Sequence, residues 1–372
     1  MKTNYWCLLA FLCLGLSPAY AIQVVVGQVA PMTGLEAAQG RNYAAGMQLL
    51  FDDANMNGGV NGHTISLVTK DDRGRPDETV SATRRLLADS KPMVLAGYFG
   101  SPNMTSLVSS GLLERNGIAI VGYRAFEAPA DTTYLYSVRA TLIDELDKMA
   151  QHLATIGTSR IGVFYEEGTV SAVQISAIEE ALGRFHISVT SQASYTFSTV
   201  QVAPAVELFI KRAPQAIILM SSGEAAASFI EQYRVSGGEA RLVLHSSADV
   251  ELLSKRLTVE QMRGVSIAQV LPSPYKIDLR LNRDFRDLVS RSSKLELPPS
   301  YTMMEGYIAA RIIIEAVRRQ GKNISRSGLI AELNSMNSYD LGGYLVGFKP
   351  GMHFGSRFVE MSVIGAGGRL RQ

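Results

Sequence analysis

The segment Gly122-Tyr123-Arg124-Ala125-Phe126 sets a guanidinium between two aromatic rings at the end of an apolar run. Such a fork can pair with an anion while the rings cover an apolar body. A surface arginine beside edge aromatics is the plain alternative. Upstream, Gly97-Tyr98-Phe99-Gly100-Ser101-Pro102-Asn103 places a serine as N-cap and a proline at the first helical position. Its glycines let backbone approach a ligand closely. The free N–H groups of a helix start favour a carboxylate there. The bland reading is that Ser101 only caps its helix.

Three later junctions have similar character: Glu166-Glu167-Gly168, Ser221-Ser222-Gly223-Glu224 and His245-Ser246-Ser247-Ala248-Asp249. Helix capping alone accounts for much of each. His245, at a strand end, reads as a structural histidine rather than a ligand contact. Enzyme patterns are missing. None of the five histidines stands in H-E-x-x-H, and there is no Gly-x-Ser-x-Gly elbow. The first strand runs into Ala30-Pro31-Met32-Thr33-Gly34 rather than a phosphate-binding glycine loop. The adjacent acids Asp52-Asp53, Asp71-Asp72 and Glu166-Glu167 point different ways on a regular element and make poor acid–base pairs. The expectation is a binding protein with no catalytic residues, no metal and no cofactor.

The elements that must position these junctions alternate. Apolar runs at Gln23–Val29, Thr64–Thr69, Met93–Ala96 and Ile118–Val121 predict strands. Amphipathic windows at Ala37–Asn55, Asp77–Asp89 and Pro102–Arg115 predict the helices between them. The alternation then restarts. Helices are predicted at Leu142–Ile156, Val170–Leu182, Thr199–Lys211 and Glu224–Val235, and strands at Arg160–Tyr165, Ile187–Thr190, Ala216–Met220 and Leu242–Leu244. Two βαβ sets in one chain mean two doubly wound α/β lobes, with ligands expected beyond the carboxyl ends of the strands. After Pro272 come helices at Asp278–Ser290, Thr302–Gln320 and Ser325–Leu333, then Gly342-Gly343 and a strand at Arg357–Ile364. That block can cover the first sheet and return a final strand to the second.

Bulk properties exclude several classes. The formal net charge is +2, and the densest arginine cluster, Arg280 to Arg291, is interleaved with aspartates. Nucleic-acid binding needs clustered cations and is not expected. Residues 1–21 carry Lys2, an apolar run from Trp6 to Leu16 and the small-x-small site Ala19-Tyr20-Ala21. They read as a cleavable signal peptide, with the mature chain starting at Ile22. Cys7 and Cys13, the two cysteines, lie in that leader. Phe11 and Leu12 are too bulky for a lipoprotein site at Cys13. A chain without disulfides that is exported fits a bacterial periplasm.

With these pieces in place, the chain resembles the bacterial periplasmic binding proteins of the leucine/isoleucine/valine type, the receptors of amino-acid ABC importers. The likeness rests on Val24–Gly34, Gly58-Gly59-Val60-Asn61-Gly62, Gly97–Thr105, Asn116–Val121 and the Gly-rich Gly342–Phe348. It implies the type I periplasmic binding fold: two Rossmann-like lobes, three crossovers near Ala140, Pro272 and Met352, and ligand in the cleft. It implies lobes of 22–140 with 273–352 and of 141–272 with 353–372. It puts Ser101 where the family serine holds the ligand carboxylate. It puts Arg124, Ala125 and Phe126 where members commonly have Ala-x-Thr. Val170 and Ser222 fall at family tyrosines, and Tyr301 near a family aromatic. The acid that pairs with an ammonium falls at Ser246, with Glu224 and Asp249 the nearest alternatives.

The candidate ligand set is therefore Gln39, Phe99, Gly100, Ser101, Tyr123, Arg124, Ala125, Phe126, Glu166, Ser222, Glu224, Ser246, Asp249 and Tyr301. A gained arginine and a lost acid point to a ligand with an anion and not necessarily an amine. The leading expectation is a periplasmic, unlipidated solute receptor for an ABC importer, partnered by an inner-membrane permease and binding an amino acid or related carboxylate or amide. The rival is a sensor of the same fold that feeds a membrane kinase or chemoreceptor.

Overall fold

A computed structural model describes residues 22–125, 133–168, 172–293, 295–351, 353–365 and 370–371. The first half runs β1 (Gln23–Ala30), α1 (Ala37–Met56), β2 (Thr64–Asp71), α2 (Pro76–Ser90), β3 (Val94–Ala96), α3 (Ser101–Ser109), α4 (Leu112–Asn116), β4 (Ile120–Val121) and β5 (Leu135–Tyr136). Then follow α5 (Leu142–Thr155), β6 (Arg160–Glu166), α6 (Ala172–Gly183), β7 (Ser188–Tyr195), α7 (Ala203–Arg212), β8 (Ala216–Met220), α8 (Gly223–Val235) and β9 (Arg241–Leu244). The last part is α9 (Val250–Arg256), α10 (Val259–Met262), β10 (Ser266–Gln269), α11 (Arg280–Arg291), α12 (Tyr301–Gln320), α13 (Arg326–Ser335), β11 (Tyr339–Asp340), β12 (Leu345–Val346), β13 (Glu360–Ile364) and β14 (Leu370–Arg371).

Two sheets result. The first is parallel, in the order β2-β1-β3-β4-β5. The second has the order β14-β13-β10-β9-β8-β6-β7. It is parallel from β7 to β10, and β13 returns antiparallel to β10. Both sheets are covered on two faces, which is why their strands read as continuous apolar runs. Along β1, Val24 and Val26 join the core under α1 and α12. Val29, pointing the other way, joins Leu86, Met104 and Leu107 of α2 and α3. In the second lobe, Ile161 and Val163 pack with α5 and α6. Phe164 packs with Phe229 of α8, ring centroids 4.5 Å apart.

Several boundaries differ from the sequence expectation. The helix expected over Pro102–Arg115 breaks at Gly111, whose φ is +67°. Ser101 is not the N-cap of α3. Gly100 is, at φ +92°, and Ser101 is the first helical residue. A side chain at Gly100 would strain that conformation. The strand expected at Ile187–Thr190 runs on to Tyr195, and the helix expected from Thr199 starts at Ala203. Strands β5 and β10 and helices α9 and α10 were not anticipated. The late helices do cover the first sheet. Gly46 of α1 lies against the Met303 carbonyl of α12, and Gly306 against that of Tyr43.

The chain passes between the lobes after β5, after β10 and after β12. Tyr344, 1 % exposed, ties these segments together. Its hydroxyl approaches the carbonyls of Val138 (2.6 Å) and Val270 (3.2 Å), one on each of the first two passages. Tyr344→Phe is expected to cost about 1–2 kcal/mol in urea unfolding, because buried carbonyls lose a donor. The same variant should broaden the distribution of lobe angles seen by small-angle scattering. No helix among the described residues is long and apolar enough to cross a membrane.

Candidate functional site

The carboxyl ends of both sheets face one cavity of about 130 Å³. An apolar cavity of about 150 Å³ holds one benzene, so the space suits a ligand of one small ring or one amino acid. From the first lobe come Glu36 and Gln39 after β1, Arg73 after β2, Phe99 to Ser101 and Asn103 after β3, and Arg124 and Ala125 after β4. From the second come Glu166 at the end of β6, Ser198 after β7, Ser222 after β8, and His245 and Ser247 after β9. Arg139, between β5 and α5, also reaches it. This is where an open parallel sheet exposes helix N-termini and frees strand ends from the ladder.

Of the expected residues, Gln39, Phe99, Gly100, Ser101, Arg124, Ala125, Glu166 and Ser222 line the cavity. Tyr123 does not; it lines a neighbouring space that shares Ala125, Arg139 and His245. Glu224, Ser246, Asp249 and Tyr301 are also absent from the wall. Glu224 pairs with Arg256 at 2.8 Å. Asp249 caps α9, accepting from Leu252 N at 2.9 Å. Tyr301 opens α12 and donates its backbone N–H to Glu251 of α9, a contact between lobes. Phe126 and Val170 lie outside the described residues.

Arg124 is paired within the protein. Its Nε lies 3.3 Å from a Glu305 carboxylate oxygen, and both side chains are buried. Its Nη1 donates to Gln39 Oε1 (2.6 Å) and Thr302 Oγ1 (3.1 Å). The guanidinium also lies over the Phe99 ring, 5.3 Å from its centroid. The strand end is fixed by backbone bonds from Gly100 N to Arg124 O and from Arg124 N to Tyr98 O, both 2.8 Å. The protein's own Glu305 thus supplies one anion to Arg124, which also lines the cavity.

A second charged network joins it. Arg139 lies 4.0 Å from Glu305 and donates to Ser246 Oγ. Ser246 Oγ donates to Glu145 Oε2 at 2.9 Å, and His245 Nε2 meets the same oxygen at 3.0 Å. Burial would raise the Glu145 carboxyl, but His245 and then Arg139 hold it below the ordinary range. Ser246 thus links Arg139 to Glu145, and His245, which meets Glu145, also lines the cavity. No group of three or more His, Cys, Asp or Glu among the described residues is arranged to hold a metal ion.

Sequence reasoning missed Glu36, Asn103 and Arg139. Glu36 is the N-cap residue of α1, without a side-chain cap bond. Burial, then Asp249 and Glu166 across the cleft, push its carboxyl up to about 7, against the pull of Arg124. The rule that picked Gly100 and Ser222, a strand-to-helix junction facing the cleft, applies equally to the Gly34-Leu35-Glu36 turn after β1.

Known proteins with this arrangement are numerous. A family model described as periplasmic binding protein matches residues 23–361. The crystal structure of a substrate-binding periplasmic protein from Ralstonia solanacearum is 34% identical, with a TM-score of 0.89, over 94% of this chain and 99% of that one. Leu/Ile/Val-binding protein homolog 2 of Brucella abortus is 32% identical over 36% of this chain, and the chain spans only 33% of that curated relative's length. Leu/Ile/Val-binding protein homolog 3 of Brucella melitensis is 23% identical over 82% of this chain and 81% of its own length. Two wound lobes, three passages and a cleft at the strand ends are the type I periplasmic binding fold, and this chain belongs to the periplasmic binding protein family.

Proposed function

We propose that the chain is the solute-binding component of an ABC importer, taking an amino acid or a related small carboxylate or amide. One observation carries this reading. Strand ends from two lobes converge on a cavity sized for such a ligand, with helix starts at Ser101 and Ser222 on opposite walls. The names of the Brucella relatives support the amino-acid class. Under this reading the lobes are 22–140 with 273–352 and 141–272 with 353–372, and they close on the ligand. Residues 1–21 direct export, and the mature chain, of a mass that begins at Ile22, works in the periplasm beside an inner-membrane permease. It binds and releases without turnover.

Gln39, Phe99, Gly100, Ser101, Ala125, Glu166 and Ser222 contact the ligand, and Arg124 sets the position of Gln39 and Phe99. A thermal-shift screen of amino acids, keto acids, aromatic acids and amides tests it, since a ligand of the native state raises the midpoint by mass action. Ser101→Ala should then weaken the hit by about 1–2 kcal/mol if one hydrogen bond is lost. Failure of every compound to bind or to shrink the radius of gyration would count against the receptor reading. A sensor of the same fold would bind equally well; genes for a permease and ATPase beside this one favour import, and a lone kinase gene favours sensing.

A further inference from the structure

Two acceptors on the first-lobe wall of the cavity lack donors among the described residues. Glu36 Oε2 accepts from Gln39 Nε2, but Oε1 is buried and has no hydrogen-bond partner. Asn103, 2 % exposed, sets its Nδ2 3.5 Å from Asp72 Oδ2, and its Oδ1 has no partner. Turning the amide over would put oxygen against that carboxylate, so the acceptor is the end left without a partner. Buried acceptors of this kind are normally satisfied.

The charges that face Glu36 from the second lobe are all negative. Glu166, Asp249 and Glu224 approach it from the second lobe, and Arg124 from its own. Arg124 is committed to Glu305, and Glu224 to Arg256. Arg73 borders the cavity as an exposed side chain, and Gln39 is the neighbour on α1. Glu36 is in no ion pair with a described residue.

We propose that a cationic nitrogen of the ligand, a primary ammonium or an amidinium, binds between Glu36 of the first lobe and Glu166 of the second, with Asn103 accepting a further N–H. The nitrogen supplies the donors that Glu36 and Asn103 lack, and its charge offsets carboxylates brought together by two different lobes. It thereby favours the closed arrangement. The inference rests on the cleft being the ligand site. It moves the cation's partner from the Ser246 position expected by resemblance to the start of α1.

The pH dependence follows in sign. The Glu36 carboxyl keeps its proton up to about pH 7. A cation needs it ionised. Below that pH, binding releases a proton and affinity falls toward tenfold per pH unit. Above it, affinity levels off.

The test uses the full chain and two matched pairs, L-leucine against 4-methylpentanoate and L-phenylalanine against 3-phenylpropanoate, with 3-methylbutylamine and benzamidine as probes that carry the cation alone. Calorimetry in two buffers of different ionisation enthalpy counts the protons released. At least one nitrogen probe should bind at least tenfold tighter than its nitrogen-free counterpart. Proton release should be near one at pH 6 and small at pH 8. Glu36→Gln should weaken that probe about tenfold or more at pH 8 and abolish the proton release, and Asn103→Leu should weaken it without touching proton release. Because Glu36→Gln removes a raised carboxyl, it should melt no lower than the parent, so lost binding would not mean lost folding. Equal or tighter binding of the nitrogen-free acids, with Glu36→Gln silent, would overturn the inference while leaving a receptor. Binding by no nitrogen probe at millimolar concentration would also overturn it. Binding by no compound at all, with no change in scattering, would remove the receptor reading as well.

Discussion

Glu305→Gln is expected to lower the free energy of unfolding by about 3–5 kcal/mol, because it strands buried guanidinium charge. Glu305 is 1 % exposed, and two arginines depend on it: Arg124 at 3.3 Å and Arg139 at 4.0 Å. Neither has another carboxylate in salt-bridge range among the described residues. Arg124→Met should also destabilise, but less, since Arg139 still faces Glu305. The double variant Arg124→Met with Glu305→Met should recover part of the loss, because Arg124 then leaves no stranded charge while Arg139 still lacks its carboxylate. Urea unfolding of the three variants checks this. If Arg124→Met kept full stability and lost only ligand affinity, the arginine would be serving the ligand and the pairing with Glu305 would be incidental.

Gly46→Ala is expected to cost about 3 kcal/mol or more, through steric overlap rather than lost contact. A Cβ there would fall 1.9 Å from the Met303 carbonyl oxygen, and one at Gly306 would fall 2.1 Å from that of Tyr43. Backbone cannot move aside as a flexible side-chain tip does, so α1 and α12 would have to separate. Gly183→Ala is the control, since nothing lies within 4 Å of its Cβ position. It should be neutral or slightly stabilising. A Gly46→Ala midpoint matching that of Gly183→Ala would show that the two helices have room to give.

Much of the wound sheet could be read from residues, and the reason is burial on both faces. Val24 to Ala30 and Ala216 to Met220 are apolar runs that only a covered parallel strand explains. Strand β10 escaped notice because Ser266-Ile267-Ala268-Gln269 looks half polar, although all four residues are buried. Strand β5 is two residues long and carries no period. The site was legible as far as it is local. Gly100, Ser101, Glu166 and Ser222 stand at junctions that topology must bring to the cleft. What could not be read was pairing at a distance. Glu305 sits inside a long helix, and nothing near it in the chain points to Arg124. The raised carboxyl of Glu36 depends on burial and on the charges of Asp249 and Glu166 arriving from the other lobe, which no local pattern encodes.

The close approach of α1 to α12 sets an order in time. Gly46 and its partner Gly306 are separated by most of the chain, and at about 5–20 residues per second a ribosome needs on the order of ten seconds to a minute to make the second after the first. Through that interval the face of α1 around Tyr43, Met47 and Phe51 has no α12 to cover it. The first lobe therefore cannot finish folding as it is made, while every strand of β6 to β10 already follows its neighbours. A chain built this way keeps its first lobe incompletely folded until nearly all of it exists, a delay that a contiguous first lobe would not impose.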